Sequence, residues 1–347
     1  MARRAAFEID GRQIAAGTRE TVELPISVLS DHTPIALSVH VVHGARPGPT
    51  VFVSAAVHGD EIIGVEVIRR LLRSPALQHL AGTLMCVPVV NAFGFISHQR
   101  YLPDRRDLNR SFPGSANGSL AAQLAHKFLT QIVARCEVGI DLHSASIHRV
   151  NLPQIRVAPD AGRPLELGLA FGAPIVLLSE LRDGSLRAAA RELGVDMLLY
   201  EAGEGLRFDE LAIRAGVAGI LRVLRELRMT PRRHTPVSRH QSSVSRSSVW
   251  VRAPAGGILR AYRTIGDSVA EGEVIACVSD PFGEKDAEVC SRAGGLIIGR
   301  ANLPVVNQGD ALFHIARVAS PQHAEDGVEK IAVALQSDPL LDEDEIL

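Results

Sequence analysis

The chain has 347 residues, of which 46% are hydrophobic and 22% charged, with a formal net charge of -2. That composition is soluble and globular, and the length suffices for two domains or for one large domain with an appendage. The near-neutral charge excludes any electrostatic case for nucleic acid or an anionic membrane as partner, and no apolar run approaches the roughly 20 residues of a membrane span.

In chain order, MARRAAFEID opens with two arginines but no apolar run behind them. That is not the pattern of a secretory signal, and a cytoplasmic protein is expected. Four scattered cysteines, Cys86, Cys136, Cys277 and Cys290, lack paired spacing and suit buried thiols in a reducing compartment. Residues 1–48 hold alternating stretches, TVELPISVL and IALSVHVVHG, which read as N-terminal strands packed on a catalytic domain of residues 49–230. Within that domain, VFVSAAVHGDE at 51–61 is an apolar run that ends in a histidine, a glycine and two acids. The run has the character of a strand covered on both faces, and EIIGVEVIRRLLRS after it has helical periodicity from 61 to about 73. His58 therefore lies on a strand-to-helix loop, where open α/β sheets place their ligands. With Glu61 at H-x-x-E spacing it can converge on one divalent ion, although a histidine beside acids also suits a solvated polar cluster.

Residues 83–90, TLMCVPVV, form the next strand, with Pro88 marking its end or a sheet edge. The loop at 91–118 is too long for a simple connection; Phe93, Phe95, Tyr101 and Phe112 read as its anchors, and its charged RRDLNR run points to a functional loop. Ser119 caps a helix carrying Leu120, Leu124, Phe128 and Ile132. The short strand VGIDL ends in His143, a candidate third ligand. Asp141 shares its strand face and can either orient that imidazole or cap the next loop. Strand patterns return at 170–179 and 195–201 around a helix-like SLRAAAREL, and a further helix spans 208 to about 228. Alternating elements of this kind imply a mixed or parallel sheet flanked by helices.

Residues 231–248 are rich in Pro, Ser and Arg and read as a linker. Residues 249–318 contain two similar halves, GGILRAYRTIGDSVAEGEVIACV and GGLIIGRANLPVVNQGDALFHIA, an internal duplication suited to a small all-β barrel. Residues 319–347 read as an acidic, mobile tail.

Four motifs occur in order: HGDE at 58–61, RDLNRSFPG at 106–114, IDLHS at 140–144 and YEAGE at 200–204. With them, residues 20–320 resemble the succinylglutamate desuccinylase and aspartoacylase family of the zinc carboxypeptidase-like clan. The resemblance implies an α/β fold, a mixed sheet flanked by helices with a C-terminal β-barrel. It implies one zinc ion per chain held by His58, Glu61 and His143, with Glu201 as the catalytic glutamate. Asn109 and Arg110 match the pair that grips the substrate carboxylate, and Arg187 a further substrate contact. Arg100 matches the arginine that polarises the scissile carbonyl. Because the segment before DLNR is longer here, Arg105 and Arg106 compete with it. Tyr262 is the candidate for the tyrosine that the C-terminal domain supplies.

The implied activity is hydrolysis of an N-acyl amino acid or a similar small carboxylate-bearing amide, with zinc carboxypeptidase action on small peptides as the alternative. The residue chemistry agrees, since three protein ligands leave the metal a position for water, and a glutamate at a strand end can carry that water's proton to the leaving amine. Glu204 competes with Glu201 but reads as solvated. A third reading, a non-catalytic metal-binding or acyl-carrier module, rests on Lys285, which lacks the flanking pattern of a swinging arm. The barrel is expected instead to wall the active-site cleft or to mediate contact within a homo-oligomer.

Overall fold

The computed structural model describes residues 4–28, 30, 32–160, 162–236 and 241–338. A small hairpin, β1 (Phe7–Ile9) and β2 (Arg12–Ile14), precedes two long antiparallel strands, β3 (Thr18–Val28) and β4 (Pro34–His43). Strand β5 (Arg46–Ala55) leads to helix α1 (Ile63–Arg73), strand β6 (Ala81–Val87) and the short helix α2 (Ala92–Ser97). Next come α3 (Leu120–Gln131), β7 (Val138–Ala145), β8 (Arg149–Val157), α4 (Arg163–Phe171) and β9 (Ile175–Leu178). Helix α5 (Leu186–Glu192), β10 (Asp196–Glu204) and α6 (Glu210–Glu226) complete this part.

These strands lie in the order β3-β4-β6-β5-β7-β10-β8. Strands β6, β5, β7 and β10 run parallel, with β4 and β8 antiparallel at either side. Strands β6 and β7 are buried along their whole length, as central strands covered on both faces must be. Successive residues of β5 feed opposite layers: Val51, Val53 and Ala55 join the core beneath α1, α4 and α6, while Phe52 joins the one beneath α3 and α5. The chain leaves β5 through α1 on one face to reach β6, then returns through α3 on the other face to β7 on the opposite side of β5. Such a reversal opens a crevice at the carboxyl ends of β5 and β7.

The remaining elements are β11 (Ser243–Ser245), β12 (Ser248–Arg252), β13 (Gly257–Ala261), β14 (Ser268–Val269), β15 (Val274–Ser279), β16 (Asp286–Cys290), β17 (Gly295–Ala301), β18 (Val305–Val306), β19 (Ala311–Ala316) and α7 (Pro321–Gln336). The duplication is visible here: β13, β14 and β15 repeat as β17, β18 and β19. Strand β13 pairs with β15 and β18, and β17 pairs with β19 and β14, so each half lends its short strand to the other. One apolar cluster, including Leu259, Ile275, Ile297 and Phe313, joins both halves.

The N-terminal strands β3 and β4 pack on the catalytic domain by joining its sheet, β4 pairing with β6, and by sharing the core that holds Phe52 and Phe128. Several expectations change. The expected strand at 170–179 begins only at Ile175, because Ala170 and Phe171 end α4. The linker contains β11, which pairs in parallel with β9; its residues 237–240 lie outside the described ones. The C-terminal strands are not a detached barrel, since β17 pairs with β8 through Gly299↔Asn151, Arg300↔Val150 and Ala301↔Arg149. The tail begins as α7, whose Ile331 and Leu335 are buried in the core that contains α6; residues 339–347 lie outside the described ones. Cys290 is exposed, unlike the other three cysteines. Among the described residues no helix is long and apolar enough to cross a membrane.

Candidate active site

The carboxyl ends of β5, β7 and β10, three neighbouring parallel strands, bring the expected metal donors together. The loop after β5 carries His58 and Glu61, and β7 carries His143, all three buried. One Glu61 oxygen lies 2.8 Å from His58 Nδ1 and the other 2.7 Å from His143 Nδ1. Each imidazole turns its other nitrogen to an outer carboxylate: His58 Nε2 lies 3.1 Å from Asp107 and His143 Nε2 lies 2.8 Å from Asp141. Asp141 is held in turn by the Ser54 hydroxyl, which donates to it at 2.7 Å.

Burial alone would strip the charge from these histidines, but Asp141 and Glu61 outweigh it and raise His143 well above its ordinary range. Glu61 and Asp107 raise His58 in the same way. Burial would likewise neutralise Glu61, yet the two imidazoles hold it well below the usual carboxylate range. A neutral imidazole has one N–H to donate, while each of these faces carboxylates at both nitrogens. Either both rings are protonated or a cation stands between the Nδ1 atoms and Glu61. A divalent ion fits the second arrangement: two nitrogens and a carboxylate offer donor atoms within 4.8 Å of one another, and both outer carboxylates can receive Nε2–H.

The loop is held in place by contact between backbones. A Cβ on Gly59 would lie 1.9 Å from the carbonyl carbon of Gly94 in α2, so the His58–Glu61 turn sits directly on that helix. Gly59→Ala should therefore destabilise the fold by about 1–3 kcal/mol and weaken metal binding. Thermal melts with and without added zinc would check this; an unchanged midpoint with full metal affinity would refute it.

Glu201 pairs in register with His143 on the neighbouring strand and shares its cleft. It accepts a hydrogen bond from Asn151 Nδ2 at 2.8 Å. Glu204 faces other partners: the backbone N–H of His148 and Asn302 Nδ2 both donate to it at 2.8 Å near the surface, and it does not line the cleft.

Of the three competing arginines, the structure brings Arg100 to the site, 3.0 Å from Glu61 and 3.1 Å from Asp107. Arg105 and Arg106 are exposed and do not line the cleft. Asn109 and Arg110 do line it, although Asn109 Oδ1 already accepts from the Leu186 amide, so only its Nδ2 can donate to a ligand. Asp107 bonds His58 and Arg100 and is not an ion-pair partner of Arg110. Arg187 is largely buried, and burial together with the nearby charge of Arg156 lowers its pKa to about 10. Arg187 Nη1 and Arg156 Nε are buried with no hydrogen-bond partner among the described residues. Tyr262 is 57% exposed and lies outside the cleft. The C-terminal region contributes Trp250 and Arg300 to the cleft instead, and β8 contributes Arg149, Asn151 and Arg156. The loop's supposed aromatic anchor Tyr101 is 49% exposed, whereas Phe112 is buried.

The result is a cleft of about 230 Å³ with a His–Glu–His donor set, two further carboxylates, Asp141 and Glu201, and many arginines. A family model described as succinylglutamate desuccinylase/aspartoacylase catalytic domain matches residues 47–227. An N-alpha-acetyl-L-2,4-diaminobutyric acid deacetylase from Halomonas elongata is 29% identical over 327 residues, covering 90% of this chain and 93% of the relative. Among solved structures, a succinylglutamate desuccinylase/aspartoacylase from Rhodobacter sphaeroides superposes with a TM-score of 0.77 at 25% identity, over 86% of this chain and 96% of that one. The product-bound ectoine utilization protein EutE (DoeB) from Ruegeria pomeroyi gives a TM-score of 0.78 at 22% identity, over 90% and 98% of the two chains.

Proposed function

Because the chain belongs to the succinylglutamate desuccinylase/aspartoacylase family, we propose that it is a zinc-dependent hydrolase of linear amides that removes the acyl group from an N-acyl amino acid. The observation that carries this reading is the convergence of the His58–Glu61–His143 donor set and the Glu201 carboxylate in one arginine-lined cleft. His58, Glu61 and His143 would hold the ion, which when bound supplies an acidified water and a polarised amide carbonyl. Glu201 takes the proton of the attacking water and delivers it to the leaving nitrogen. Arg100 stabilises the carbonyl oxygen as negative charge grows on it. Asn109 Nδ2 and Arg110 orient the free carboxylate of the substrate. The buried Nε of Arg156 and Nη1 of Arg187, which lack acceptors among the described residues, support a carboxylate-bearing substrate, because a buried N–H left without an acceptor is costly.

The reading is tested by offering zinc-loaded protein a panel of N-acyl amino acids, including the N-acetyl diaminobutyrate that names the Halomonas relative, alongside short peptides. Hydrolysis of none of them, or loss of no activity on chelation, would overturn it. A sharper expectation concerns Arg110→Lys. Lysine keeps the charge but not the planar fork, so kcat/KM should fall about 10- to 100-fold, the loss of about 1.5–3 kcal/mol of charged hydrogen bonding. Amidating the substrate carboxylate should impair the wild type similarly and the variant little further. Equal turnover of acid and amide by the wild type would rule the contact out.

A further inference from the structure

Glu201 is held by one short hydrogen bond, the 2.8 Å donation from Asn151 Nδ2 to its Oε2. The guanidinium of Arg156 stands 3.6 Å from the second oxygen, Oε1, too far for a hydrogen bond. Asn151 is itself buried near the start of β8, and its strand neighbour on the far side is Gly299 of β17. A Cβ on Gly299 would lie 2.8 Å from Asn151 Oδ1, while its next contacts, Val150 O and His314 Cβ, are at 3.4 and 3.5 Å. The missing side chain at 299 thus leaves the space that the Asn151 amide occupies.

We propose that Asn151 is the positioning residue that holds the Glu201 carboxylate for proton transfer, and that β17 sets it in place through Gly299. The proposal rests on Glu201 being the proton carrier. It gives the C-terminal strands a part in turnover, because the residue pressing on Asn151 comes from them. With Oε2 tied to Asn151, Oε1 is the oxygen left to receive the water proton, and the carboxylate loses its freedom to turn away from the cleft. A buried asparagine that merely satisfied itself within the sheet would affect stability and nothing specific to Glu201.

Asn151→Leu keeps the branching and the number of side-chain heavy atoms but has no donor. In the zinc-loaded full chain, kcat should fall about 10- to 100-fold, the range for removing an orienting hydrogen bond from an active-site group. KM, zinc content and melting temperature should stay near those of the wild type. Gly299→Ala should lower kcat in the same direction, because the atom its Cβ meets is the end of a side chain that can turn. In a Glu201→Gln background, Asn151→Leu should change the residual rate less than about twofold, since both substitutions remove one function.

An equal loss from Asn151→Leu in both backgrounds, or a raised KM with kcat unchanged, would overturn the proposal. If Asn151→Leu fails to fold, Gly299→Ala decides, and an unchanged kcat there overturns it. A Glu201→Gln protein without activity beside a fully active Asn151→Leu protein removes the positioning role alone. Full turnover by Glu201→Gln would remove the reading of Glu201 and this one with it.

Discussion

Glu201→Gln should keep its zinc and lose amide hydrolysis by about 10²- to 10⁴-fold, the contribution of a positioned general base and acid. The substitution preserves shape and still accepts from Asn151 Nδ2, but an amide cannot take up the water proton. Because Glu201 touches none of the three metal donors through its side chain, metal content should be unaffected. Glu204→Gln is the control. Its carboxylate bridges the His148 amide and Asn302, so that change should touch the seam between β8 and the C-terminal strands and leave turnover nearly intact. Steady-state kinetics with zinc analysis on both variants checks the pair, and a reversed ranking would mean that the wrong glutamate carries the proton.

His143→Ala should abolish both zinc retention and activity. It leaves a two-donor site where an open catalytic centre needs three protein ligands. Removal of the outer partner should be milder: Asp141→Asn keeps the donor set but weakens the acceptor that fixes the His143 ring, and metal affinity should fall about 10- to 100-fold. Metal analysis after dialysis separates the two. Stoichiometric zinc in His143→Ala, with turnover intact, would sink the donor assignment.

Much of this site was legible because its parts are local. His58 and Glu61 sit three residues apart on one loop, and Asp141 and His143 sit two apart on one strand face, so spacing alone brings each pair together. What escaped depended on distant pairing. Nothing around Asn151 announces its role, since its partners Glu201 and Gly299 come from strands far along the chain. Strand β11 is three residues of a Ser-rich stretch, and the free edge of β9, more than its own propensity, makes it a strand. In α7 the buried positions Ala324, Ile331 and Leu335 recur at helical spacing, but the acidic residues after it dominate the composition and hid that stripe. The choice among Arg100, Arg105 and Arg106 needed the fold, because all three lie on one irregular loop without periodicity to orient them.

The seam between β8 and β17 also orders events during synthesis. Gln154 of β8 donates to the Ile298 carbonyl across 144 residues of chain, a contact that cannot form until synthesis has passed Ile298. Until then the early part of β8 presents unpaired N–H and C=O groups, an open edge that invites pairing with other nascent chains. The three metal donors emerge long before it closes. An ion held by those donors would enter a growing chain through an unwalled mouth, and the cleft would close around it only when β17 pairs with β8.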